Sequence, residues 1–445
     1  MNQLQLFLPC AAGVEELLAH EVHHLTSLQG QDLLTHRGGV LARASWRDVM
    51  GLNLHCRLAQ RVLVQLSLTT YRSEKDLYEA ASAVAWEIWF TTKQTFKIEV
   101  TAQHSPLTSL NFAALKIKDA VADRFRQKTG VRPDVNTQWP DVRIYAHLTT
   151  DTATLYIDTS GEPLFKRGWR EDTGEAPLKE TLAAAMIAAS GWGTDPEAGC
   201  AAGVPLYDPC CGSGTIAIEA AQIACGIAAG SLRRFGFEKL LPFQPHVWQA
   251  LKSDAKAAEH APTAPVYGSD VAHRMVDFAQ RNAERAGVAH AVQFRGGDAL
   301  QRLPPCERPG VMLLNPPYGE RIAVAGVAGA GGRPGRGGFQ PGALSGARAA
   351  QAVQTVQASR ETAHTDDGGD FFPQLASHWK KNYPGWTAWM LTPDLKLPAR
   401  MRLKESRRVP MWNGPIECRL FRFDMVKGSA REKQQADDAL PPAGS

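Results

Sequence analysis

The sequence predicts a mixed α/β protein whose larger part is a doubly wound parallel sheet that ends in an antiparallel hairpin. From residue 204 onward, short apolar strands alternate with helices, which is typical of such a sheet. Near the end of the chain, two apolar segments flank Asn413 and Gly414, a pair that favours a tight hairpin turn. Before residue 166 the pattern differs: segments such as 96–100 alternate apolar and polar residues, which predicts half-buried strands in a separate α+β region.

The α+β region is predicted to contain two units. In the first, residues 1–55, a strand at 5–8 is followed by a helix that begins near 13–18 and by a turn into a second strand at 38–42. The second unit, residues 56–165, has further strands and one long helix. Both units precede the predicted parallel sheet and therefore form a separate module.

The long helix of the second unit covers residues 113–126, where apolar residues recur at helical spacing. The side chains predicted to face the core are Leu115, Ile117, Ala120, Val121 and Phe125. Basic residues fall largely outside that stripe: Lys116, Lys118, Arg124 and Arg126. They indicate either a solvated helix face or a surface that contacts a nucleic-acid backbone, and charge alone favours the solvated face.

A basic linker at 166–180 joins the two halves. Its cationic residues are Lys166, Arg167, Arg170 and Lys179. They could hold phosphate groups near a cleft, or they could pair with acidic neighbours such as Glu171 and Asp172. An apolar helix predicted at 181–190 follows and is expected to pack on the sheet.

The stretch 204–221 predicts a buried strand, a glycine-rich turn and an alanine-rich helix. Asp208 stands where the strand ends, and Gly212 and Gly214 permit a tight turn that leaves the backbone open to a ligand. The first N–H groups of the helix would face this turn. The spacing matches neither the P-loop nor the full dinucleotide-binding pattern. Glycines alone fit an ordinary strand-to-helix turn equally well.

Three further strand-like runs, at 264–267, 291–294 and 311–314, each end in polar residues. The strand-end residues are, in order, Asp208, Asp270, Asp298 and Asn315. One acidic strand end is commonly a helix cap, but three of them followed by Asn-Pro-Pro-Tyr at 315–318 are not explained in that way. Because ligands of doubly wound sheets bind beyond the carboxyl ends of the strands, these residues predict a ligand site.

After residue 321 the alternation of strands and helices is interrupted and then resumes. Residues 322–370 are rich in glycine and alanine with few large apolar side chains, which predicts a disordered insert. A helix at 375–381, a fifth strand at 387–391 and the hairpin at 407–423 follow. The polar tail, residues 428–445, is predicted to be disordered.

Composition fits an ordinary globular protein and excludes several classes. The 445 residues are 44% hydrophobic and 21% charged, with a formal net charge of +4, so any basic surface must be local. No signal peptide or membrane-spanning run is visible. The eight cysteines are scattered without the spacing of a zinc site, which predicts that the protein has no metal site. Cys210 and Cys211 are adjacent and cannot readily form a disulfide with each other, which favours a reducing compartment. We therefore expect a cytoplasmic protein.

The motifs, taken in order, resemble those of class I S-adenosylmethionine-dependent methyltransferases that act on an amino nitrogen. They are Asp-Pro-Cys-Cys-Gly-Ser-Gly at 208–214, Gly-Ser-Asp at 268–270, Gly-Asp at 297–298 and Asn-Pro-Pro-Tyr-Gly-Glu-Arg at 315–321. With the segment 166–185, the chain resembles the bacterial 23S rRNA guanine-N2 methyltransferases that carry an N-terminal THUMP domain. The resemblance covers nearly the whole chain, apart from the insert and the tail.

This resemblance implies a domain order and a cofactor site. Residues 1–55 would be a ferredoxin-like unit, 56–165 a THUMP RNA-binding domain, and 166–427 a Rossmann-like methyltransferase domain. S-adenosyl-L-methionine would be the cofactor. The residues implied to bind it are Asp208, Pro209, Cys210, Gly212, Ser213, Gly214, Asp270, Asp298 and Asn315. Asp270 would accept hydrogen bonds from the ribose hydroxyls, and Asp298 would hold the adenine amine.

The same resemblance implies how the acceptor base is held. The Asn315 side-chain oxygen and the Pro316 carbonyl would accept the two hydrogens of a guanine amine. Pro317 would stiffen the turn, and Tyr318 would stack on an extruded base. The implied RNA contacts are Lys166, Arg167, Arg170 and Lys179, and the implied partner is ribosomal RNA of the large subunit or its precursor.

Two other functions fit some of these features. A tRNA guanine-N2 methyltransferase would also combine a THUMP domain with this catalytic motif. A catalytically silent RNA-binding assembly factor would keep the N-terminal half, but it would not need the complete loop at 315–318. DNA adenine and protein glutamine methyltransferases share that loop and leave the first 170 residues unexplained.

Overall fold

The structure, a computed structural model, describes residues 3–174, 177–316 and 371–426. These residues form helices packed on two seven-stranded sheets, so the predicted mixed α/β class is confirmed. The predicted insert at 322–370 and the predicted tail at 428–445 lie outside the described residues. Within the described part of the chain, no helix is both long enough and apolar enough to cross a membrane.

The first sheet is antiparallel apart from one parallel pair, and it has the strand order β2-β3-β1-β4-β7-β6-β5. Its elements are β1 Leu4–Pro9, α1 Glu15–Thr26, β2 Leu33–His36, β3 Gly39–Ala44, α2 Trp46–His55, β4 Leu63–Thr70, α3 Glu74–Ala83, β5 Phe96–Ala102, α4 Leu110–Thr129, β6 Val142–Leu148 and β7 Thr152–Asp158. Strand β4 pairs with both β1 and β7. The two predicted N-terminal units therefore share one continuous sheet.

Helix α4 buries Ile117, Ala120, Val121 and Phe125, as predicted, but Leu115 is 43% exposed. The prediction for Leu115 is wrong because it lies two residues from Ile117, about 200° around the helix from the buried stripe. Most of the basic residues of α4 have local partners. Arg124, for example, binds Glu87 through Nε at 2.9 Å and Nη2 at 2.6 Å.

The second sheet has the strand order β10-β9-β8-β11-β12-β14-β13. Its elements are α5 Glu180–Ser190, β8 Leu206–Asp208, α6 Thr215–Ala224, α7 Pro245–Ala257, β9 Val266–Asp270, α8 His273–Arg285, β10 Val292–Gly296, β11 Val311–Leu314, α9 Phe371–Asn382, β12 Thr387–Thr392, α10 Leu397–Met401, β13 Arg407–Asn413 and β14 Ile416–Asp424. Strands β8 to β12 are mutually parallel, and β14 is antiparallel to β12. The predicted doubly wound sheet with a closing hairpin is confirmed.

The closing hairpin differs from its prediction by one residue. Asn413 pairs with Ile416, so the two turn residues are Gly414 and Pro415. Gly414 has φ +63°, which glycine adopts readily at the first central position of a hairpin turn. Asn413 is therefore the last residue of β13 rather than part of the turn.

A packed extension after α6 joins the two halves. Phe235, Phe237 and Trp248 are buried against one another, with the Phe237 and Trp248 ring centroids 5.0 Å apart. Backbone hydrogen bonds tie this extension to the N-terminal half, among them Phe237 N to Thr159 O at 2.8 Å. The extension therefore fixes the first sheet against the second.

A cluster of three charged side chains, of which two are buried and Arg57 is partly buried, also lies between the halves. Glu219 of α6 is fully buried and accepts hydrogen bonds from Arg167 Nε at 2.9 Å and from Arg57 Nη1 at 3.1 Å. Arg167 also donates to the Arg57 carbonyl at 2.8 Å. Because Arg57 follows α2 and Glu219 lies on α6, this cluster links the first sheet to the helix that begins at the glycine-rich turn.

Candidate active site at the ends of the parallel strands

Three of the predicted strand-end residues meet where the strand order reverses. Strand β8 lies between β9 and β11, and Asp208, Asp270 and Asn315 stand at or just after the carboxyl ends of these three strands. The strand that follows β8 in sequence, β9, lies on one side of it, and β12, which follows β11, lies on the other side of β11, which is the arrangement that opens a crevice in such sheets. The structure therefore brings these three residues to one edge, as the sequence predicts.

Asp270 connects the glycine-rich turn to the neighbouring strand. Its Oδ2 accepts the Gly212 N–H at 2.9 Å, and its Oδ1 accepts the Ala272 N–H at 2.9 Å. Asp208 closes the start of the same turn by accepting the Cys210 N–H at 3.1 Å. Because a carboxylate oxygen can accept more than one hydrogen bond, Asp270 retains acceptor capacity for a ligand.

The two glycines of the turn have different surroundings. Gly214 has φ +89°, and a Cβ there would lie 2.9 Å from the Ala279 Cβ, so this position packs against α8. Gly212 has φ +52°, and a Cβ there would meet no atom within 4 Å among the described residues. Gly212 therefore borders open space at the turn, where a ligand can approach the backbone.

Burial raises the pKa values of the acidic groups and the thiols at this edge of the sheet. Asp208 is 1% exposed, and its burial, with a smaller contribution from the charge of Asp270, raises its pKa to about 8. Burial also raises the pKa of Asp270. The pKa values of the Cys210 and Cys211 thiols are raised well above their usual value, first by burial and then by Asp208 and Asp270. A cationic ligand would be favoured here because it would stabilise the two carboxylates in their charged form.

Asn315 presents a free acceptor at the end of β11. Its Oδ1 is buried and has no hydrogen-bond partner among the residues that the structure describes. A buried acceptor without a partner is costly, so this oxygen is a candidate to receive a hydrogen bond from a ligand. The adjacent Pro316 is buried, whereas Pro317 and Tyr318 lie outside the described residues.

The other predicted cofactor residues surround the turn or follow the outer strand. Pro209 is buried, and its carbonyl faces the Ser269 hydroxyl at 3.5 Å. Ser213 is buried, and its carbonyl accepts the Asn282 Nδ2 at 3.0 Å. Asp298 follows β10, is half-buried and accepts the Leu300 N–H at 2.9 Å. Asp298 therefore lies two strands away from β8.

The predicted RNA contacts of the linker separate into buried and exposed residues. Arg167 is 2% exposed and bound to Glu219, so the prediction that it contacts RNA is wrong. Arg170 also has its donors engaged within the protein: its guanidinium binds Glu180 at 2.7 Å and the Thr215 hydroxyl at 2.8 Å. These arginines are held by buried carboxylates and backbone carbonyls, which the sequence spacing does not reveal.

Lys166 and Lys179 remain on the surface. Lys166 forms an ion pair with Glu162, and the Lys179 ammonium lies over the Phe165 ring, 5.1 Å from its centroid. Both side chains are exposed, so both can reach a ligand.

Two residues that support the turn were not found from the sequence. Arg170 donates to both the Thr215 hydroxyl and, at 3.4 Å, the Ser213 hydroxyl. Asn282 of α8 binds the Ser213 carbonyl. Arg170 was identified from the sequence only as an RNA contact, and Asn282 belongs to no motif. Both are far from the turn in sequence, so the spacing does not reveal that they support it.

Three family models match this chain, in the order that the sequence analysis expects. They are an RlmL ferredoxin-like domain over residues 5–63, a THUMP domain over residues 71–158 and an RMKL-like methyltransferase domain over residues 167–328. Together they extend over both halves and include the glycine-rich turn and Asn315.

Known proteins match almost the whole chain. It is 36% identical over 426 residues to a protein of Psychromonas ingrahamii named "Ribosomal RNA large subunit methyltransferase K/L". That alignment covers 94% of this chain and 50% of the relative, so the chain spans about half the length of that protein.

Solved structures share the fold over nearly all of the chain. A possible methylase from Clostridium difficile is 26% identical, has a TM-score of 0.76, and is covered completely by 96% of this chain. SMU.472, a putative methyltransferase complexed with SAH, has a TM-score of 0.77 at 24% identity, with the same coverage. These solved structures agree with the observed fold. The chain therefore carries regions that match a ferredoxin-like domain, a THUMP domain and an RMKL-like methyltransferase domain, in that order.

Proposed function

We propose that this chain is an S-adenosylmethionine-dependent RNA methyltransferase that transfers a methyl group to the exocyclic N2 amine of a guanine in 23S rRNA. The observation that carries the proposal is the buried Oδ1 of Asn315 at the end of β11, which has no hydrogen-bond partner within residues 3–174, 177–316 and 371–426. An amine hydrogen is a donor that would satisfy this atom. The position lies beside the glycine-rich turn, where the methyl donor would bind.

The residues of the crevice fit S-adenosylmethionine. The open backbone at Gly212 would accommodate its methionine part, and the spare acceptor capacity of Asp270 would receive the ribose hydroxyls. Asp298 would bind the adenine amine. The cofactor supplies an electrophilic methyl group on a positively charged sulfur. Asp208 and Asp270 would favour this charge, and the cationic ligand would in turn lower their raised pKa values.

The protein's task is to position the acceptor amine. The guanine N2 lone pair is delocalised into the ring, which makes the amine a poor nucleophile. Asn315 Oδ1 would accept one amine hydrogen and the Pro316 carbonyl the other, which orients the lone pair toward the methyl group. Such acceptors stabilise charge as it develops on the nitrogen and need no covalent intermediate. Pro317 and Tyr318, outside the described residues, are proposed to stiffen this loop and to stack on the base.

Large-subunit rRNA is the proposed substrate because the curated relative at 36% identity is named for it. This favours rRNA over the tRNA alternative, and the THUMP match supports an RNA substrate in either case. The intact acceptor at Asn315 argues against a silent assembly factor. An rRNA substrate would also fit the cytoplasmic location expected from the sequence.

The proposal is tested by identifying the product. We expect the purified protein to methylate 23S rRNA from cells that lack this activity, with 16S rRNA and bulk tRNA as parallel substrates. Nucleoside mass spectrometry should detect N2-methylguanosine from 23S rRNA alone. N6-methyladenosine as the product, or equal methylation of tRNA, would contradict the proposal.

A further inference from the structure

A cleft of about 600 Å³ lies between the linker and the packed extension. We call it the linker cleft, and it is lined by Phe165, Lys166, Arg170, Lys179, Arg233 and Arg234, among others. Its volume is within the range of ligand-binding sites. None of the motifs discussed above includes Arg233 or Arg234.

The carboxylates of the cleft are already neutralised. Glu180 pairs with Arg170 at 2.7 Å, and Glu162 pairs with Lys166 and, at 3.0 Å, with Arg143. Both acidic residues that line the cleft therefore have cationic partners.

Three cationic side chains of the cleft have no carboxylate contact among the described residues. Lys179 contacts the Phe165 ring, and Arg233 donates to backbone carbonyls, including Pro163 O at 2.7 Å. Arg234 is exposed and has no hydrogen-bond or ion-pair partner in the described part of the chain. The cleft therefore carries an uncompensated positive charge, which favours an anionic ligand.

One side chain separates the linker cleft from the cofactor turn. Arg170 lines the cleft, and the same guanidinium binds Thr215 and Ser213 at the start of α6. A nucleic-acid strand bound in the cleft would therefore be separated from the proposed methyl-donor site only by the Arg170 side chain. This position suits a segment that flanks the nucleotide being modified.

We propose that the linker cleft binds the phosphodiester backbone of the substrate RNA next to the target guanine, through Lys179 and Arg234. This inference rests on the proposed function and changes the set of RNA contacts. Arg167 and Arg170 hold the protein together, whereas Arg234, which the sequence analysis did not identify, contacts phosphate. The charge of Arg233 adds to the attraction, while its backbone hydrogen bonds keep the cleft walls in place.

The test is the salt dependence of RNA binding by the double variant Lys179→Ala/Arg234→Ala. If two phosphate contacts are lost, the slope of log K against log salt should fall in magnitude by about 1.4, since each contact to a single strand contributes about 0.7. At moderate salt we expect RNA affinity to drop at least about tenfold. Affinity for S-adenosylhomocysteine, measured by calorimetry, should not change.

Lys252→Ala is the matched control. Lys252 also lies over an aromatic ring, 5.5 Å from the Trp248 centroid, but it is on α7 and outside the linker cleft. This variant matches the Lys179→Ala half of the double variant, since it loses one lysine charge and the same type of ring contact, and we expect it to bind RNA like the wild type.

Three results would overturn the inference. Unchanged RNA affinity and slope in the double variant, with methyl transfer by the wild type intact, would remove the cleft from the RNA site and leave the proposed function standing. Loss of inorganic phosphate binding with RNA affinity retained would make it a site for free anions. A wild-type protein that methylates no RNA would refute the proposed function and this inference with it.

Discussion

Replacing Glu219 by alanine should destabilise the whole protein, because this carboxylate lies between two arginines that have little access to water. The Glu219 side chain is 0% exposed, and the side chains of Arg167 and Arg57 are 1% and 13% exposed. Burial alone would raise the Glu219 pKa, but the charges of Arg167 and Arg57 lower it below its usual value. The carboxylate is therefore ionised in the folded protein, and its loss removes the carboxylate that both arginine side chains bind.

Breaking a buried ion pair from one side typically costs about 3–5 kcal/mol, and we expect a loss of this size in Glu219→Ala. Glu219→Gln should lose less, since its side-chain oxygen can still accept a hydrogen bond from Arg167. The assay is urea unfolding followed by tryptophan fluorescence. The control is Glu79→Ala, which removes an exposed partner of Lys75 at 3.6 Å and should cost about 0.5 kcal/mol or less. A loss below about 1 kcal/mol in Glu219→Ala would refute the conclusion that this cluster holds the two halves together.

Two further predictions concern the carboxylates of the crevice. The pKa of Asp208 is raised to about 8 in the folded protein from the usual 3.8, so the folded protein binds this proton more tightly than the unfolded chain does. The resulting stabilisation of the folded state is complete below pH 3.8 and is lost as the pH rises to about 8. Asp208→Asn should therefore flatten the fall in unfolding free energy between pH 5 and pH 8, and an unaltered pH profile would contradict the assignment. Asp270→Ala should weaken S-adenosylmethionine binding by about 1.5–3 kcal/mol, because the ribose hydroxyls lose a charged acceptor and the Gly212 N–H loses its anchor. Calorimetry that gives wild-type affinity would remove Asp270 from the cofactor site.

The strand-end residues could be placed from the sequence because two local patterns fix them. An apolar run that stops at an acidic residue or at an asparagine marks the carboxyl end of a strand, and parallel strands bring those ends to one edge. Asp208, Asp270 and Asn315 meet for this reason. The domain order was implied by the family resemblance, which the short methyltransferase motifs and the segment 166–185 carry.

Interactions between distant segments could not be predicted in this way. Arg167 and Glu219 are 52 residues apart, and nothing in the linker distinguishes an arginine that will be buried from one that will contact solvent. Arg234 was not predicted to contact RNA, because its exposure in the linker cleft depends on how the extension packs. The hairpin turn shifted to Gly414 and Pro415 because strand pairing across the sheet, rather than the preference of Asn-Gly, sets the register.

The central claim is that Asn315 Oδ1 accepts a hydrogen from the guanine amine as the methyl group is transferred. The most direct test is the turnover rate of Asn315→Ala on 23S rRNA, measured with tritiated S-adenosylmethionine at saturating RNA and cofactor. We expect kcat to fall about 100- to 1,000-fold, while the affinities for RNA and S-adenosylhomocysteine change by no more than about threefold. A kcat within about tenfold of the wild type would contradict the claim and leave the buried oxygen of Asn315 without a role in the reaction.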